Sequence, residues 1–197
     1  MLKHLPNLLT FGRLLLTVLF LGMLLYSPGA QDRTFLFDAS LVVFIIAGLT
    51  DIIDGPIARK LHFDTKFGRM LDPLVDKVLV CGAFVCFAVI DQPESLFNWS
   101  PISLHIIRWS VAAVLIIREG FVTILRHAAE AKGIDFRAVA SGKIKMLIQS
   151  FAIGTVLVKA AHVQTATWGH WFTTITFAVM LAVTIISGFS ATRRTAR

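Results

Sequence analysis

Residues 51 to 76 read DIIDGPIARKLHFDTKFGRMLDPLVD and hold Asp51, Asp54, Asp72 and Asp76. On a helix turning ~100° per residue, Asp51, Asp54, Gly55 and Ala58 fall at i, i+3, i+4 and i+7 and share one face. That face sets two oxygen ligands beside two residues almost without side chains, so a bulky group can approach the helix backbone next to the acids. Asp72 and Asp76 stand at i and i+4 and also point one way. The connection, with His62, Asp64, Thr65, Lys66 and Gly68, is short and polar. The flanking helices are therefore expected to be antiparallel neighbours that bring the two acidic pairs together.

An ionised Asp at mid-membrane costs ~2.5–3.5 kcal/mol even on a lenient scale, and intramembrane acids face a partner or a wet cavity. Arg59 and Lys77 could neutralise two of the four in a buried ion-pair cluster, but converging like charges repel and call for more cations than the local sequence supplies. Divalent metal resolves the conflict. All-oxygen ligation without a His or Cys cluster favours a hard ion, Mg2+ or Mn2+, over zinc. Four carboxylates suit two such ions ~3.5–4 Å apart, an arrangement that clamps attacking and leaving oxygens in displacement at phosphorus. Arg59 suits a phosphate oxygen through its planar fork of donors. Pro56 predicts either a kink or local unwinding, or a helix end near the membrane surface.

The elements that must position these groups are membrane helices. Of 197 residues, 56% are hydrophobic and 16% charged, with a mean hydropathy of +0.75, far from the balance of an ordinary soluble domain. Apolar windows of about 20 residues, enough to cross a ~30 Å hydrocarbon core, run over 8–26, 35–53, 74–90, 102–125, 144–162 and 171–189. No ~10-residue alternation of barrel strands is present, so the windows read as six transmembrane helices of one all-α domain over 1–197. The first window lacks a small-residue cleavage pattern and is interrupted by Arg13, so it is not a cleavable signal peptide. With the N-terminus inside, Lys3, Arg59, Lys60, Lys66, Arg69, Arg126, Lys132, Arg137, Lys143, Arg193, Arg194 and Arg197 collect on the cytoplasmic side, against chiefly Arg33, Arg108 and Lys159 outside. Tyr26, Trp99, Trp168 and Trp171 fall at the outer ends, where amphipathic rings favour the headgroup layer.

The formal charge of +7 is explained by this flanking pattern and by anionic lipid headgroups, which argues against nucleic acid as a partner. Cys81 and Cys86 lie five apart inside the third window and read as small core hydrophobes, not as a disulfide or zinc site. The six histidines are scattered, with no metalloprotease pair.

The pattern Asp51-x2-Asp54-Gly55-x2-Ala58-Arg59-x8-Gly68-x3-Asp72-x3-Asp76 resembles, without gap or substitution, the signature of the CDP-alcohol phosphatidyltransferases. The resemblance implies a six-helix membrane fold, usually a homodimer. It further implies that CDP-diacylglycerol binds at the cytoplasmic side and that its phosphatidyl group passes to an alcohol with release of CMP. By the same resemblance Asp51, Asp54, Asp72 and Asp76 are ligands of two divalent cations, and Asp76 is also the general base. Gly55, Ala58, Arg59, Thr65 and Gly68 belong to the CDP-lipid site, with Asn7 of PNLLT as a further contact. Metals bridging a diphosphate would offset its charge and improve CMP as a leaving group.

A second cationic set suggests the acceptor. Arg118 and Arg126 lie within about 80° on one helical face, and Lys143 and Lys145 open the fifth window. Lys143 and Lys145 are about 200° apart if helical, so one of them faces elsewhere. Ordinary inner-side flanking charge is the plain reading. Against it, Arg118 sits in the apolar run VLIIREGFV beside Glu119, and a fixed cation at that depth needs a partner or ligand. Glycerol 3-phosphate would supply the phosphate. The stretch REGFVTILRHAAEAKGIDFRAVASGKIKMLIQS, with LPNLLTFGR and DPLVDKV, resembles the phosphatidylglycerophosphate synthase branch, except that Met146 stands where that branch commonly has Thr. A cardiolipin synthase of the same fold, with phosphatidylglycerol as acceptor, is the alternative within the family, and inositol-phosphate acceptors a weaker third. A cation transporter is the alternative from another class. With no transit segment ahead of the first window, a bacterial plasma membrane is expected.

Overall fold

The computed structural model describes residues 5–61, 66–90, 100–131 and 140–195, and within them the side chains of 10–50, 73–90, 100, 102–129 and 144–192. Six helices appear where six windows are predicted: α1 (Leu5–Tyr26), α2 (Arg33–Leu61), α3 (Lys66–Val89), α4 (Pro101–Ala131), α5 (Ala140–His162) and α6 (Thr167–Thr195), with a one-turn 3-10 helix over Ser27–Gly29. Every helix reaches beyond its apolar window at one end or both, because polar ends outside a hydrocarbon layer continue the same hydrogen-bond ladder. Four stretches, Thr10–Gly29, Arg33–Thr50, Ile144–His162 and Thr167–Thr192, are long and apolar enough to cross a membrane on length and composition alone. Between them, α4 carries Arg108, Arg118, Glu119 and Arg126 along its length.

The chain forms two compact units, Met1–Gln92 with Ala160–His162, and Pro93–Lys159 with Val163–Arg197. In the first, α2 and α3 both pack on α1. The buried positions described in α1 are Thr10, Arg13, Thr17, Phe20 and Leu24, continued by Ser27 of the 3-10 turn, alternating three and four residues apart. That spacing keeps one seam on one side of a helix and favours packing at a shallow crossing angle. Facing it, α2 buries Phe37, Ser40, Phe44 and Ala47, and α3 buries Val75, Leu79, Ala83 and Cys86. Phe20 and Phe44 meet with ring centroids 5.4 Å apart. Two hydroxyls within the seam bond their own helices, Thr17 Oγ1 donating to the Arg13 carbonyl at 2.8 Å and Ser40 Oγ to the Leu36 carbonyl at 2.7 Å. The outward positions Leu15, Val18, Leu19, Val42, Ile45 and Ile46 are apolar and exposed, as lipid contact requires.

Two contacts fix the sense of the helices. Arg13 meets Asp76, and Leu21 meets Gly82 and Cys86, so α1 and α3 run parallel. The tight link over Ser27–Gly29 sends α2 back along α1, which makes α2 antiparallel to both. Ala160–His162 close the far end of this unit, where Thr34 Oγ1 donates to the Ala161 carbonyl at 3.4 Å and His162 Nε2 lies 2.8 Å from Asp38 Oδ1. Tyr26, at this end, is exposed, as an interfacial ring should be.

In the second unit α4 packs on α6, and α6 buries Thr176, Met180, Thr184, Ser187 and Ala191 along one stripe. From α5, Lys145, Gln149, Ala152, Ile153, Val156 and Leu157 are buried. Trp168 and Trp171 at the start of α6 are exposed, whereas Trp99 lies outside the described residues. Cys81 and Cys86 form no disulfide; Cys86 is buried in the seam as a small core hydrophobe, whereas Cys81 is half-buried.

Close approach of α1 to α3 depends on Gly82, where a Cβ would stand 2.8 Å from Leu21 Cδ1 and 3.1 Å from Cδ2. Ala is accommodated if Leu21 changes rotamer; a branched residue is not. Gly82→Val should destabilise the protein by about 1–3 kcal/mol, read as a lowered thermal midpoint in detergent. Gly22→Val, where nothing lies within 4 Å of the added carbon, should leave the midpoint nearly unchanged.

Candidate active site

Helix α2 continues to Leu61 and so carries Asp51, Asp54, Gly55, Ala58 and Arg59 on unbroken helical backbone. The expectation of local unwinding or a helix end at Pro56 is therefore corrected. Proline removes a single backbone bond, and the bonds around it are enough to carry the helix onward. A second correction concerns the connection. Lys66 and Gly68, assigned to it from sequence, form the first turn of α3, leaving only 62–65, with Thr65, outside the described residues. Asp72 and Asp76 thus stand well inside a helix and not at its mouth.

These boundaries set depth. Asp54 lies seven residues before the end of α2 and Asp72 six after the start of α3, while Asp51 and Asp76 each lie ten residues in. At ~1.5 Å per residue the antiparallel pair places its acidic positions at two matching levels, about 10 Å and about 15 Å from the connection. Asn7, in the first turn of α1, and Gly68 belong to the same end of the unit.

Among the four acids, Asp76 is the one whose side chain is described. Arg13 Nη1 donates to Asp76 Oδ1 at 2.6 Å, with Arg13 only 1% exposed and Asp76 27% exposed. Arg13 delivers its charge from the buried seam of α1 and leaves part of the carboxylate open to a ligand. Its backbone carbonyl is capped by Thr17, which adds a fixed point to the same turn. Beyond Arg59 and Lys77, the cations that sequence suggests, Arg13 is an ion partner of Asp76. The signal was present, since an arginine interrupting the first apolar window must meet a counter-charge.

The donor set fits hard divalent cations: all-carboxylate positions at matching depths, with one carboxylate braced by a buried guanidinium, as metal-binding carboxylates ordinarily are by a hydrogen-bonding partner. Among the described residues no cluster of three His, Cys, Asp or Glu side chains occurs, Asp51, Asp54 and Asp72 having side chains outside them.

In the second unit Arg118, Glu119, Lys145 and Ser187 converge from α4, α5 and α6. Arg118 Nη1 donates to Glu119 Oε1 at 2.9 Å and Nη2 to Ser187 Oγ at 2.7 Å. Lys145 Nζ donates to the same Glu119 oxygen. The side chains of Arg118, Glu119 and Lys145 are 12%, 13% and 7% exposed, so the cluster is nearly closed. The partner required by Arg118 at this depth is thus Glu119, which sequence reasoning noted but did not place in the site. Arg126, two turns further on, is exposed. Lys143 lies in the first turn of α5, with its side chain outside the described residues. Met146, the departure from the branch pattern, is 42% exposed and off the buried stripe that carries Lys145.

A family model described as CDP-alcohol phosphatidyltransferase matches residues 3–186. The chain belongs to the CDP-alcohol phosphatidyltransferase family. It is therefore an enzyme, a phosphatidyltransferase of the membrane, and the transporter reading falls away. Similar proteins agree over most of its length. The Bacillus subtilis (strain 168) CDP-diacylglycerol–glycerol-3-phosphate 3-phosphatidyltransferase is 31% identical over 194 residues, covering 94% of this chain and 92% of the relative. A Mycobacterium tuberculosis (strain H37Rv) protein named probable phosphatidylglycerophosphate synthase is 28% identical over 195 residues, covering 98% and 82%. A Salmonella choleraesuis CDP-diacylglycerol–glycerol-3-phosphate 3-phosphatidyltransferase is 33% identical over 158 residues, covering 78% and 76%.

For a CDP-alcohol phosphatidyltransferase built this way, Arg13 should matter as much as a signature acid. Arg13→Met leaves the Asp76 charge uncompensated beside an apolar seam, a loss of about 3–5 kcal/mol for a fully buried pair and less here because Asp76 is partly exposed. The expected outcome is a lowered thermal midpoint together with at least a tenfold loss of turnover, about 1.4 kcal/mol in the barrier. Arg13→Lys should recover the midpoint more fully than the turnover, since an ammonium restores charge but not the guanidinium geometry.

Proposed function

We propose that this chain transfers the phosphatidyl group of CDP-diacylglycerol to the hydroxyl of glycerol 3-phosphate, giving phosphatidylglycerophosphate and CMP. What carries the reading is the agreement of relatives named for that reaction over nearly the whole chain, alongside a closed cationic cluster of suitable charge. The acceptor hydroxyl forms a bond to the phosphorus that bears the diacylglycerol, and the bond from that phosphorus to the oxygen of CMP breaks. Asp76 is the base that takes the hydroxyl proton. Its pairing with Arg13 holds one oxygen and fixes the direction in which the carboxylate faces.

Asp51, Asp54, Asp72 and Asp76 would hold two divalent cations, Mg2+ or Mn2+, which supply charge compensation for the diphosphate and its departing oxygen. Asn7, Gly55, Ala58, Arg59, Thr65 and Gly68 bind the CDP portion, Gly55 and Ala58 admitting it close to α2. Arg118, Arg126, Lys143 and Lys145 receive the acceptor phosphate. Glu119 offsets one of the two positive charges it touches, so the Arg118, Glu119 and Lys145 group retains a net charge of +1 to attract an anion. The family match running through both units supports a single catalytic domain over 1–197, and the family resemblance supports a homodimer. Flanking Lys and Arg support a cell-membrane location with cytoplasmic termini and a cytoplasmic active site.

The test is an acceptor panel. Purified protein with CDP-diacylglycerol and Mg2+ or Mn2+ is offered glycerol 3-phosphate, phosphatidylglycerol or inositol phosphate, and products are read by mass spectrometry. Phosphatidylglycerophosphate is expected, with loss of turnover on chelation and recovery on adding back either ion. Product from phosphatidylglycerol with none from glycerol 3-phosphate overturns the acceptor. Asp76→Asn should abolish turnover while CDP-diacylglycerol still binds; undiminished turnover removes the base.

A further inference from the structure

Across the described side chains of the second unit there is one acid, Glu119, against Arg108, Arg118, Arg126, Lys145 and Lys159. Its placement is specific. A single oxygen, Oε1, accepts from both Arg118 Nη1 and Lys145 Nζ, so the tips of two cations from different helices converge on one point. The other arm of Arg118 is held by Ser187 Oγ, which in turn donates to the Thr184 carbonyl at 2.9 Å. Gly188, next to Ser187, brings the α6 backbone near the Arg118 stem, where a Cβ would stand 3.6 Å from Arg118 Cγ.

We propose that Glu119 is a positioning residue for the acceptor, presetting Arg118 and Lys145 as one phosphate clamp with Ser187 fixing the second arm of the arginine. The inference rests on the acceptor reading above and extends it to two residues outside the cation set. Lysine and arginine have long stems with many rotamers, and ordering both at the moment of binding costs entropy. A carboxylate already bonded to both has met that cost before the acceptor arrives. The acceptor phosphate then bonds to donors left over by the clamp, since an ammonium has three and a guanidinium five.

A second role for Glu119, plain screening, makes the opposite prediction. If it only weakens the pull on an incoming phosphate, removing its charge strengthens acceptor binding. If it positions the two cations, removing its charge weakens acceptor binding although the site becomes more positive. The sign of the change in KM separates the two.

The experiment measures KM and kcat for both substrates in wild type, Glu119→Gln, Glu119→Asp and Ser187→Ala, with thermal midpoints to certify folding. Glutamine keeps an acceptor oxygen but loses the charge-assisted bonds, so KM for glycerol 3-phosphate should rise about tenfold or more. The KM for CDP-diacylglycerol should stay within about twofold, a split that general unfolding does not produce. Glu119→Asp should recover part of the loss, and Ser187→Ala, which frees one arm of Arg118, should raise the same KM by about two- to fivefold. An unchanged or lowered glycerol 3-phosphate KM in folded Glu119→Gln overturns the proposal, as does an equal rise in both KM values. Should Glu119→Gln not fold, Ser187→Ala decides alone, and an unchanged acceptor KM there overturns it. If wild type uses phosphatidylglycerol and not glycerol 3-phosphate, the acceptor reading fails, and the same variants read on KM for phosphatidylglycerol judge the clamp independently.

Discussion

A charge can be kept among lipid-facing helices only where an opposite charge or a bound ion meets it. Each unit of this protein is organised around one such meeting: Arg13 with Asp76 in the first, and Glu119 with Arg118 and Lys145 in the second. In the first unit the partners come from different helices, and in the second Lys145 of α5 joins the Arg118 and Glu119 pair of α4, so the pairing that stabilises the charges also sets the register of the helices that carry them. One-residue rotation of α1 would swing Arg13 out of the seam by ~100° and leave a guanidinium facing hydrocarbon. Such pairs add little net stability compared with hydrophobic packing; what they do is make other registers costly.

Apolar packing around these pairs is permissive by comparison. The seam of α1 mixes Thr10, Thr17 and Ser27 with Phe20 and Leu24, and the stripe of α6 mixes Thr176, Thr184 and Ser187 with Met180. Where lipid is as apolar as leucine, burying leucine gives helices little reason to associate, and close contact through small residues and hydroxyls takes over. Thr17, Thr176 and Ser187 return their donor to a carbonyl of their own helix, whereas the buried hydroxyls of Ser27 and Thr184 make no hydrogen bond and so cost part of what the close packing gains. The close fit of Gly82 against Leu21 follows the same rule.

The number of helices, their order and the membrane setting were legible because bilayer thickness imposes a length on every apolar window. The acidic motif was legible because carboxylates at helical spacing have no bland use in lipid. Helix ends were not: Lys66 and Gly68 read as loop residues on polarity alone, yet a polar first turn outside the hydrocarbon is still a helix, and α3 begins six residues before Asp72. The partner of Asp76 was missed for a different reason. Reasoning along the chain looked for its counter-charge nearby, at Arg59 and Lys77, whereas Arg13 is separated from it by 63 positions and joined to it only by the packing of α1 on α3. Glu119 shows the intermediate case, visible beside Arg118 but with Lys145 as a second partner that only the fold reveals.

The two clusters carry opposite signs, and the proposed chemistry needs them to. On the proposed assignment Asp51, Asp54, Asp72 and Asp76 with Arg13 would make an acidic place that collects cations, while Arg118 and Lys145 with one glutamate would make a basic place that collects anions. Displacement at the phosphorus of a diphosphate by the hydroxyl of a phosphate ester brings together two anions that repel in water. Under that proposal each anion would be compensated separately, one by cations held between acids and the other by side chains directly, so neither set of residues would have to change its charge during the transfer. The proposed roles are consistent with a second cluster that is closed and internally bonded and an Asp76 that is partly open: side chains that bind an anion directly are best fixed beforehand, whereas a carboxylate that takes a proton needs one free side toward the hydroxyl.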